Sequence, residues 1–241
     1  MKTNSLLHGA HCFFAGISLI FQPGLRRFVI VPLLINLVLF GLASWLLWHY
    51  LSTTVDSMLP SWLTWLAWLI LPVFMLSVLT IVYYTFTLLA NIIAAPFYGQ
   101  LAKAVEARLR GLSSLDDEVT LTFKYALQML SSELRKLCYY LLRAIPLLLL
   151  SLIPGLNVIT LPLWMLFSAW FLTFEYTGYT FENHKILFAE QKRMINQSRF
   201  SSVIFGSCSL VATTIPVINL FAPAIAVAGS AKLLYERGDL D

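Results

Sequence analysis

The stretch that decides the fold is FVIVPLLINLVLFGLASWLLWHY, residues 28–50, which contains no Asp, Glu, Lys or Arg. An α-helix needs about 20 consecutive apolar residues to cross the roughly 30 Å hydrocarbon core of a bilayer. The stretch has that length and ends in Trp45, Trp48 and Tyr50, and such aromatic residues favour the boundary between lipid and water. We therefore predict a transmembrane helix over residues 28–50.

The composition of the whole chain agrees with a membrane protein. Of the 241 residues, 59% are apolar and 12% are charged, and the mean hydropathy is +0.79. Soluble proteins carry about twice that share of charge. This composition excludes intrinsic disorder and a disulfide-stapled secreted module. The cysteines lie far apart and form no C-x-x-C or Cys/His cluster, so we predict no disulfide, no metal site and no cofactor.

A second uncharged stretch covers residues 57–102. Tryptophans and prolines near its start are typical of an interfacial entry, and we predict a second full span over residues 72–94. Pro96 then favours the first turn of a separate, wetter helix over residues 96–110, because proline is tolerated at a first helical position. Gly111 is expected to end that helix.

Two further uncharged stretches, residues 144–174 and 200–231, are each interrupted near the middle by proline and a polar residue. The motif I-P-x-[LI]-N occurs in both, at residues 153–157 and 215–219, which indicates two copies of one hairpin. Each arm has about 12 to 16 residues and reaches about 18 to 24 Å, less than the bilayer core. We predict half-penetrating hairpins whose turns are buried in protein or line a pathway.

An amphipathic helix is predicted over residues 119–143, before the first hairpin. Its apolar residues recur at spacings of three and four, as expected for one helical face. They are Phe123, Leu127, Leu130, Leu134, Leu137 and Leu141. The other faces carry charge, so we expect this helix on the cytoplasmic side, continuing into the third uncharged stretch.

The basic residues set the expected orientation, because cytoplasmic segments near spans collect Lys and Arg. The segment from Lys103 to Arg143 carries seven of the 16 basic residues, whereas the link over residues 51–61 carries none. From this distribution we expect the amino terminus and the ends of both hairpins on the cytoplasmic side of the membrane. The sequence thus predicts an all-α integral membrane protein, one membrane domain over residues 1–241 with two full transmembrane helices, two half-penetrating hairpins and amphipathic cytoplasmic helices.

The sharpest candidate site is QPGLRR, residues 22–27, immediately before the first span. If Pro23 occupies the first helical position, the N–H groups of Gly24, Leu25 and Arg26 are free to bind an anion. The helix dipole and the guanidinium groups of Arg26 and Arg27 would add positive charge. The open alternative is that the two arginines only anchor the span at the cytoplasmic side.

A second candidate group contains Glu106, Arg110, Glu133 and Arg143, which could form a charged vestibule or couple a proton to transport. The alternative is simple pairing on a solvated face, since Glu106 and Arg110 are four residues apart. The basic residues flank apolar runs and form no stripe with interleaved aromatics, so we expect no nucleic-acid partner. No known catalytic motif is present, and we predict that the chain is not an enzyme.

Several segments in this order resemble the CysZ-type sulfate permeases of bacterial inner membranes. They are QPGLRRFVIVPLLIN at 22–36, NIIAAPF at 91–97, EARL at 106–109, IPGLN at 153–157, FSAW at 167–170 and FENHK at 181–185. The resemblance implies proton-linked sulfate uptake for cysteine biosynthesis, as a multi-pass protein in lipid. It also implies a homo-oligomer built from dimers, and sulfate contacts at Gly24, Leu25 and Arg26, with Arg27 adjoining.

The residues alone leave two other classes of membrane protein open. A non-transporting membrane scaffold would use the hairpins only to pack against partners. A lipid-modifying enzyme would need a buried acid/base pair, for which Glu175 and His184 are the available residues.

Overall fold

The computed structural model describes residues 6–58, 67–112 and 123–240, and the regular elements in these ranges are all helices. In chain order they are α1 (Leu6–Ile20), α2 (Arg27–Met58), α3 (Ala67–Leu109), α4 (Phe123–Ser151), α5 (Asn157–Asn183), α6 (Phe188–Gln197), α7 (Arg199–Thr214), α8 (Pro216–Asn219) and α9 (Ala222–Arg237). The all-α fold class is confirmed.

The chain forms two compact units, one of Met1–Val29 with Tyr98–Asp241 and one of Ile30–Phe97. The smaller unit holds most of α2 and the first part of α3. The larger unit holds the remaining helices and both candidate sites. The single membrane domain expected over residues 1–241 stays a prediction.

Residues 28–50, the first predicted span, lie within helix α2. Its segment Arg27–Trp45 is long and apolar enough to cross a membrane. Apolar side chains such as Leu37 and Val38 are exposed along it, which is the arrangement expected where lipid replaces water. Residues 72–94, the second predicted span, lie within helix α3.

Helix α3 corrects the boundary that the sequence predicts at Pro96. No new helix begins there, because α3 continues through Pro96 to Leu109. Proline removes one backbone donor, but membrane helices tolerate it where neighbouring groups satisfy the freed carbonyl. The end at Gly111 is confirmed: its φ is 71°, and the Leu112 N–H donates to the Ala107 carbonyl at 2.8 Å.

The core of the larger unit is made by α1, α5, α7 and α9, with α1 packed on α9 and α7, and α5 packed on α7 and α9. The backbones of these helices approach so closely that a Cβ atom added at a glycine in the contact would overlap the backbone of the facing helix. The glycines at these contacts are Gly9, Gly16, Gly206 and Gly229. Buried hydroxyls add bonds between helices, such as Thr173 Oγ1 to the Ser202 carbonyl at 2.7 Å. Small residues and interhelical hydroxyls are typical of helix packing in membranes.

The first predicted hairpin has its turn where the sequence places it, between α4 and α5. Its arms, however, are longer than predicted, with 29 residues in α4 and 27 in α5. Helix α4 joins the amphipathic segment to the uncharged stretch without a break, and α5 is long and apolar enough to cross a membrane. Residues 119–122 of the predicted amphipathic helix lie outside the described residues. The depth of this hairpin stays a prediction.

The second predicted hairpin has arms of the expected length, since α7 and α9 each contain 16 residues. Its turn differs from that of the first hairpin. In the first, Gly155 has a φ of 89°, whereas in the second, Pro216 begins the short helix α8. The shared I-P-x-[LI]-N motif therefore does not produce the same backbone, because the second copy has no glycine after its proline.

Candidate anion-binding site

A β-turn over residues 22–25 joins α1 to α2 and forms one wall of the site. The Leu25 N–H donates to the Gln22 carbonyl at 3.1 Å, and Gly24 has a φ of 89°. This is the arrangement of a type II turn, with proline second and glycine third. Only glycine adopts such a φ without strain.

The turn corrects the predicted helix start. Helix α2 begins at Arg27, so Pro23 lies in the turn and the Leu25 N–H is already bonded. Among the described residues, the backbone N–H groups of Gly24, Arg26 and Arg27 have no acceptor. Free donors therefore precede the span, but one of the three differs from the prediction, because Arg27 takes the place of Leu25.

The same turn occurs at residues 153–156, before α5. There the Leu156 N–H donates to the Ile153 carbonyl at 3.2 Å, and Gly155 again has a φ of 89°. Asn157 and Val158 follow this second turn, where Arg26 and Arg27 follow the first. The two turns share a backbone and differ in charge.

A cavity of about 440 Å³ lies between the first turn and the carboxyl-terminal part of α3. Pro23, Gly24, Leu25, Arg27 and Phe28 line one side; Gln100, Lys103, Ala104, Ala107, Arg108 and Leu112 line the other. Leu25 is buried, and Arg108 Nη1 donates to the Pro23 carbonyl at 3.3 Å. This bond connects α3 to the turn.

The cavity wall is cationic. Arg27, Lys103 and Arg108 line it, and no carboxylate is among its lining residues. Arg27 also lies over the Phe28 ring, with its Cζ 4.7 Å from the ring centroid. The predicted site residue Arg26 does not line the cavity, because its Nε donates to the Phe21 carbonyl.

Sequence reasoning did not place Lys103 and Arg108 in the site. They lie about 80 residues after the turn, and only the fold brings them to it. The available signal was the spacing of four that joins Lys103 to Ala107 and Ala104 to Arg108, which puts these residues on neighbouring parts of the helix surface.

Glu106 faces away from these residues and forms a buried cluster. It is 1% exposed; its Oε1 accepts a bond from Arg110 Nε at 2.9 Å, and its Oε2 lies 2.7 Å from His184 Nε2. Burial alone would raise the pKa of Glu106, but the bond and charge of His184, with Arg110, outweigh it and lower the pKa below its ordinary value. The predicted Glu106–Arg110 pair exists, but it is buried rather than solvated.

Glu133 and Arg143, the other predicted vestibule residues, have different partners. Glu133 pairs with Lys136 at 3.0 Å on α4 and is 48% exposed. The Arg143 guanidinium lies over the Tyr139 ring and lines another cavity with Lys192 and Arg199. The structure therefore does not join these two residues to the Glu106 cluster.

The helices and the cavity together define an all-helical membrane protein with a cationic pocket suited to a small anion. The chain belongs to the family described as sulfate transporter CysZ/etoposide-induced protein 2.4, whose model matches residues 12–223. It is 43% identical over 233 residues to the sulfate transporter CysZ of Pectobacterium atrosepticum, covering 95% of this chain and 85% of that protein. It is 42% identical over 229 residues to the sulfate transporter CysZ of Salmonella typhimurium, covering 93% and 90%.

Proposed function

We propose that this protein carries sulfate across the bacterial inner membrane into the cell, where it supplies cysteine biosynthesis. The names of the relatives support the substrate. The observation that carries the proposal is the cavity in which Arg27, Lys103 and Arg108 converge beside the Gly24 turn.

The chemistry of the cavity suits a tetrahedral dianion. The unpaired N–H groups of Gly24, Arg26 and Arg27 sit at the start of α2, where the helix dipole adds partial positive charge. Guanidinium groups can make two parallel bonds to an oxyanion, while Lys103 contributes a point charge. These contacts hold sulfate without covalent or metal bonds, which allows its release.

The proposal includes a proton-linked cycle and an oligomer built from dimers. Glu106, on the same segment of α3 as the cavity residues, lies 2.7 Å from His184 Nε2, and we infer that this pair takes part in the proton linkage. One cavity of this size does not make a pathway through a membrane, so subunits must complete it. The apolar stripe of α4 supports assembly or lipid contact, since Leu134, Leu137 and Leu141 are exposed.

Binding measurements on purified protein test the site. We expect Arg27→Ala and Arg108→Ala each to weaken sulfate binding by about tenfold or more, because a bond to a charged group contributes about 1.5 to 3 kcal/mol. Arg26→Ala is the matched control, since its guanidinium is bonded to the Phe21 carbonyl. Isothermal titration of folded variants measures the effect, and unchanged affinity in both test variants would remove the cavity from the mechanism.

Uptake measurements separate a transporter from a scaffold. Proteoliposomes containing the purified protein should accumulate labelled sulfate, and those containing Arg27→Ala should accumulate less. Vesicles that take up no more sulfate than protein-free vesicles would favour the scaffold.

A further inference from the structure

His8, Cys12 and Glu236 form a cluster in the larger unit, on elements that do not line the anion cavity. His8 and Cys12 are four residues apart on one face of α1, and Glu236 lies at the end of α9. This grouping differs from the sequence-based prediction of no Cys/His cluster and no metal site. One ligand atom from each residue lies within 4.8 Å of the others. Imidazole, thiol and carboxylate are the three side-chain types that bind Zn²⁺.

The distances between these atoms match those around a tetrahedral metal ion. Zn–N and Zn–O distances of about 2.0 Å and a Zn–S distance of about 2.3 Å place tetrahedral ligands roughly 3.3 to 3.6 Å apart. The Cys12 Sγ lies 3.4 Å from Glu236 Oε2 and 3.9 Å from His8 Nδ1. His8 Nδ1 lies 3.6 Å from Glu236 Oε2. An ion can enter with shifts of a few tenths of an ångström.

The surroundings hold the ligands in place. Cys12 is fully buried, and the His8 side chain is 11% exposed. Lys232 Nζ pairs with Glu236 Oε1, which leaves Oε2 directed at Cys12 and His8. Such outer-shell partners orient ligands in metal sites.

The helix packing fixes the spacing between α1 and α9 at this level. A Cβ at Gly229 would lie 2.7 Å from the Cys12 carbonyl oxygen, so the two backbones touch beside the cluster. The ligands on the two helices are therefore preorganised by a rigid contact, which lowers the entropic cost of binding.

Within the cluster, the Cys12 thiol donates a hydrogen bond to Glu236 Oε2 at 3.4 Å. Burial, followed by the Glu236 carboxylate, raises the pKa of Cys12 to about 12. A thiol combined with an imidazole and a single carboxylate favours a metal that binds sulfur and nitrogen over one that prefers oxygen ligands.

We propose that His8, Cys12 and Glu236 bind a thiophilic divalent cation, Zn²⁺ or a similar transition metal, with water in the fourth position. The ion would join the first described helix to the last. Its role would be structural, because it would stabilise the α1–α9 contact and does not touch the anion cavity.

Metal binding to the purified full chain tests the proposal. After chelator treatment and dialysis, we expect one Zn²⁺ or Co²⁺ per protomer and, with Co²⁺, a thiolate-to-metal charge-transfer band. Cys12→Ser should abolish the band. His8→Gln and Glu236→Gln should weaken binding at least about tenfold, since even outer-shell changes have effects of that size. Cys208→Ser is the matched control and should bind as the unaltered protein does.

Thermal unfolding gives a second measurement, because a ligand that binds only the folded state raises its unfolding temperature. At one Zn²⁺ concentration, that temperature should rise equally for the unaltered protein and for Cys208→Ser, and less for His8→Gln. The proposal is wrong if the unaltered protein retains less than stoichiometric metal. It is also wrong if Cys12→Ser keeps the band or if Cys208→Ser loses it.

Discussion

At the scale of single residues, the feature that matters most for the site is the conformation of Gly24. Its positive φ completes the turn before α2, and both Gly24 and Arg27 line the cavity beside α3. Gly155 adopts the same φ in a turn with the same hydrogen bond, but without arginines after it. The molecule therefore contains two turns with the same backbone, of which only the one at Gly24 is followed by arginines, so the turn at Gly155 can serve as its control.

This pair of turns gives a controlled prediction. Gly24→Ala and Gly155→Ala should each destabilise the fold by about 1 to 2 kcal/mol, because an alanine in the left-handed region is strained. Neither new Cβ would meet another atom within 4 Å, so strain is the shared effect. We expect only Gly24→Ala to weaken sulfate binding, as measured by isothermal titration alongside thermal unfolding. Equal losses of affinity in both variants would contradict the site.

The sequence was sufficient to propose residues 22–27 as a candidate site, because proline, glycine and two arginines directly precede an apolar run. It was not sufficient to assign the donors, since proline fits both a first helical turn and the second position of a β-turn. Local sequence patterns could not identify Lys103 and Arg108 as cavity residues. They also could not identify His184 as the partner of Glu106. Each is brought into place by contacts between residues about 80 positions apart.

At the scale of elements, the carboxyl-terminal part of α3 carries two functions on two faces. Lys103 and Arg108 face the cavity, while Glu106 contacts His184 at the end of α5. Arg110 donates to Glu106 and, at 3.1 Å, to the Leu240 carbonyl. The buried carboxylate thereby joins α3 to His184, and Asn183 reinforces this junction by donating to the Gly99 carbonyl at 2.9 Å. A change in the Glu106 cluster should therefore affect the position of the cavity wall.

Stability measurements as a function of pH test this junction. A carboxyl group whose pKa is lowered by folding stabilises the fold above its unfolded pKa, and this contribution is lost as the pH falls through the folded pKa. Glu106→Gln should cost about 3 kcal/mol at pH 7, as expected when a buried ion pair loses one partner. The difference from the unaltered protein should shrink below about pH 4.

Glu133→Gln is the control for that experiment, because Glu133 also pairs with a basic residue but is half exposed. Exposed pairs contribute about 0 to 1 kcal/mol, so its unfolding midpoint should hardly move. If both variants lost the same stability at every pH, the Glu106 cluster would have no special role in the junction.

The elements also show which sequence signals are reliable in a membrane protein. Length and apolar composition correctly predicted helices over residues 28–50 and 72–94. Proline was a poor guide to helix ends, since α2, α4 and α5 each contain an internal proline and α3 continues past Pro96. In lipid, the backbone has no water to bond with, so breaking a helix costs more than keeping it.

At the scale of the whole molecule, the distribution of basic residues predicts a single orientation in the membrane. Cys138 offers a test, because it is exposed on α4 within the segment that carries seven of the basic residues. A membrane-impermeant maleimide should label it in inside-out vesicles and not in intact spheroplasts. Cys138→Ser should lose this labelling, and Cys12 should contribute none because it is buried. Equal labelling from both sides would indicate that copies insert in opposite orientations.

The tight contact between α1 and α9 also constrains how the chain is made. About 200 residues separate the end of α1 from the start of α9. At a synthesis rate of about 5 to 20 residues per second, the glycine face of α1 remains without its final neighbour for roughly 10 to 40 s. During that interval lipid or the insertion machinery must shield it. A nonsense mutation before α9 should therefore yield a chain that quality-control proteases remove.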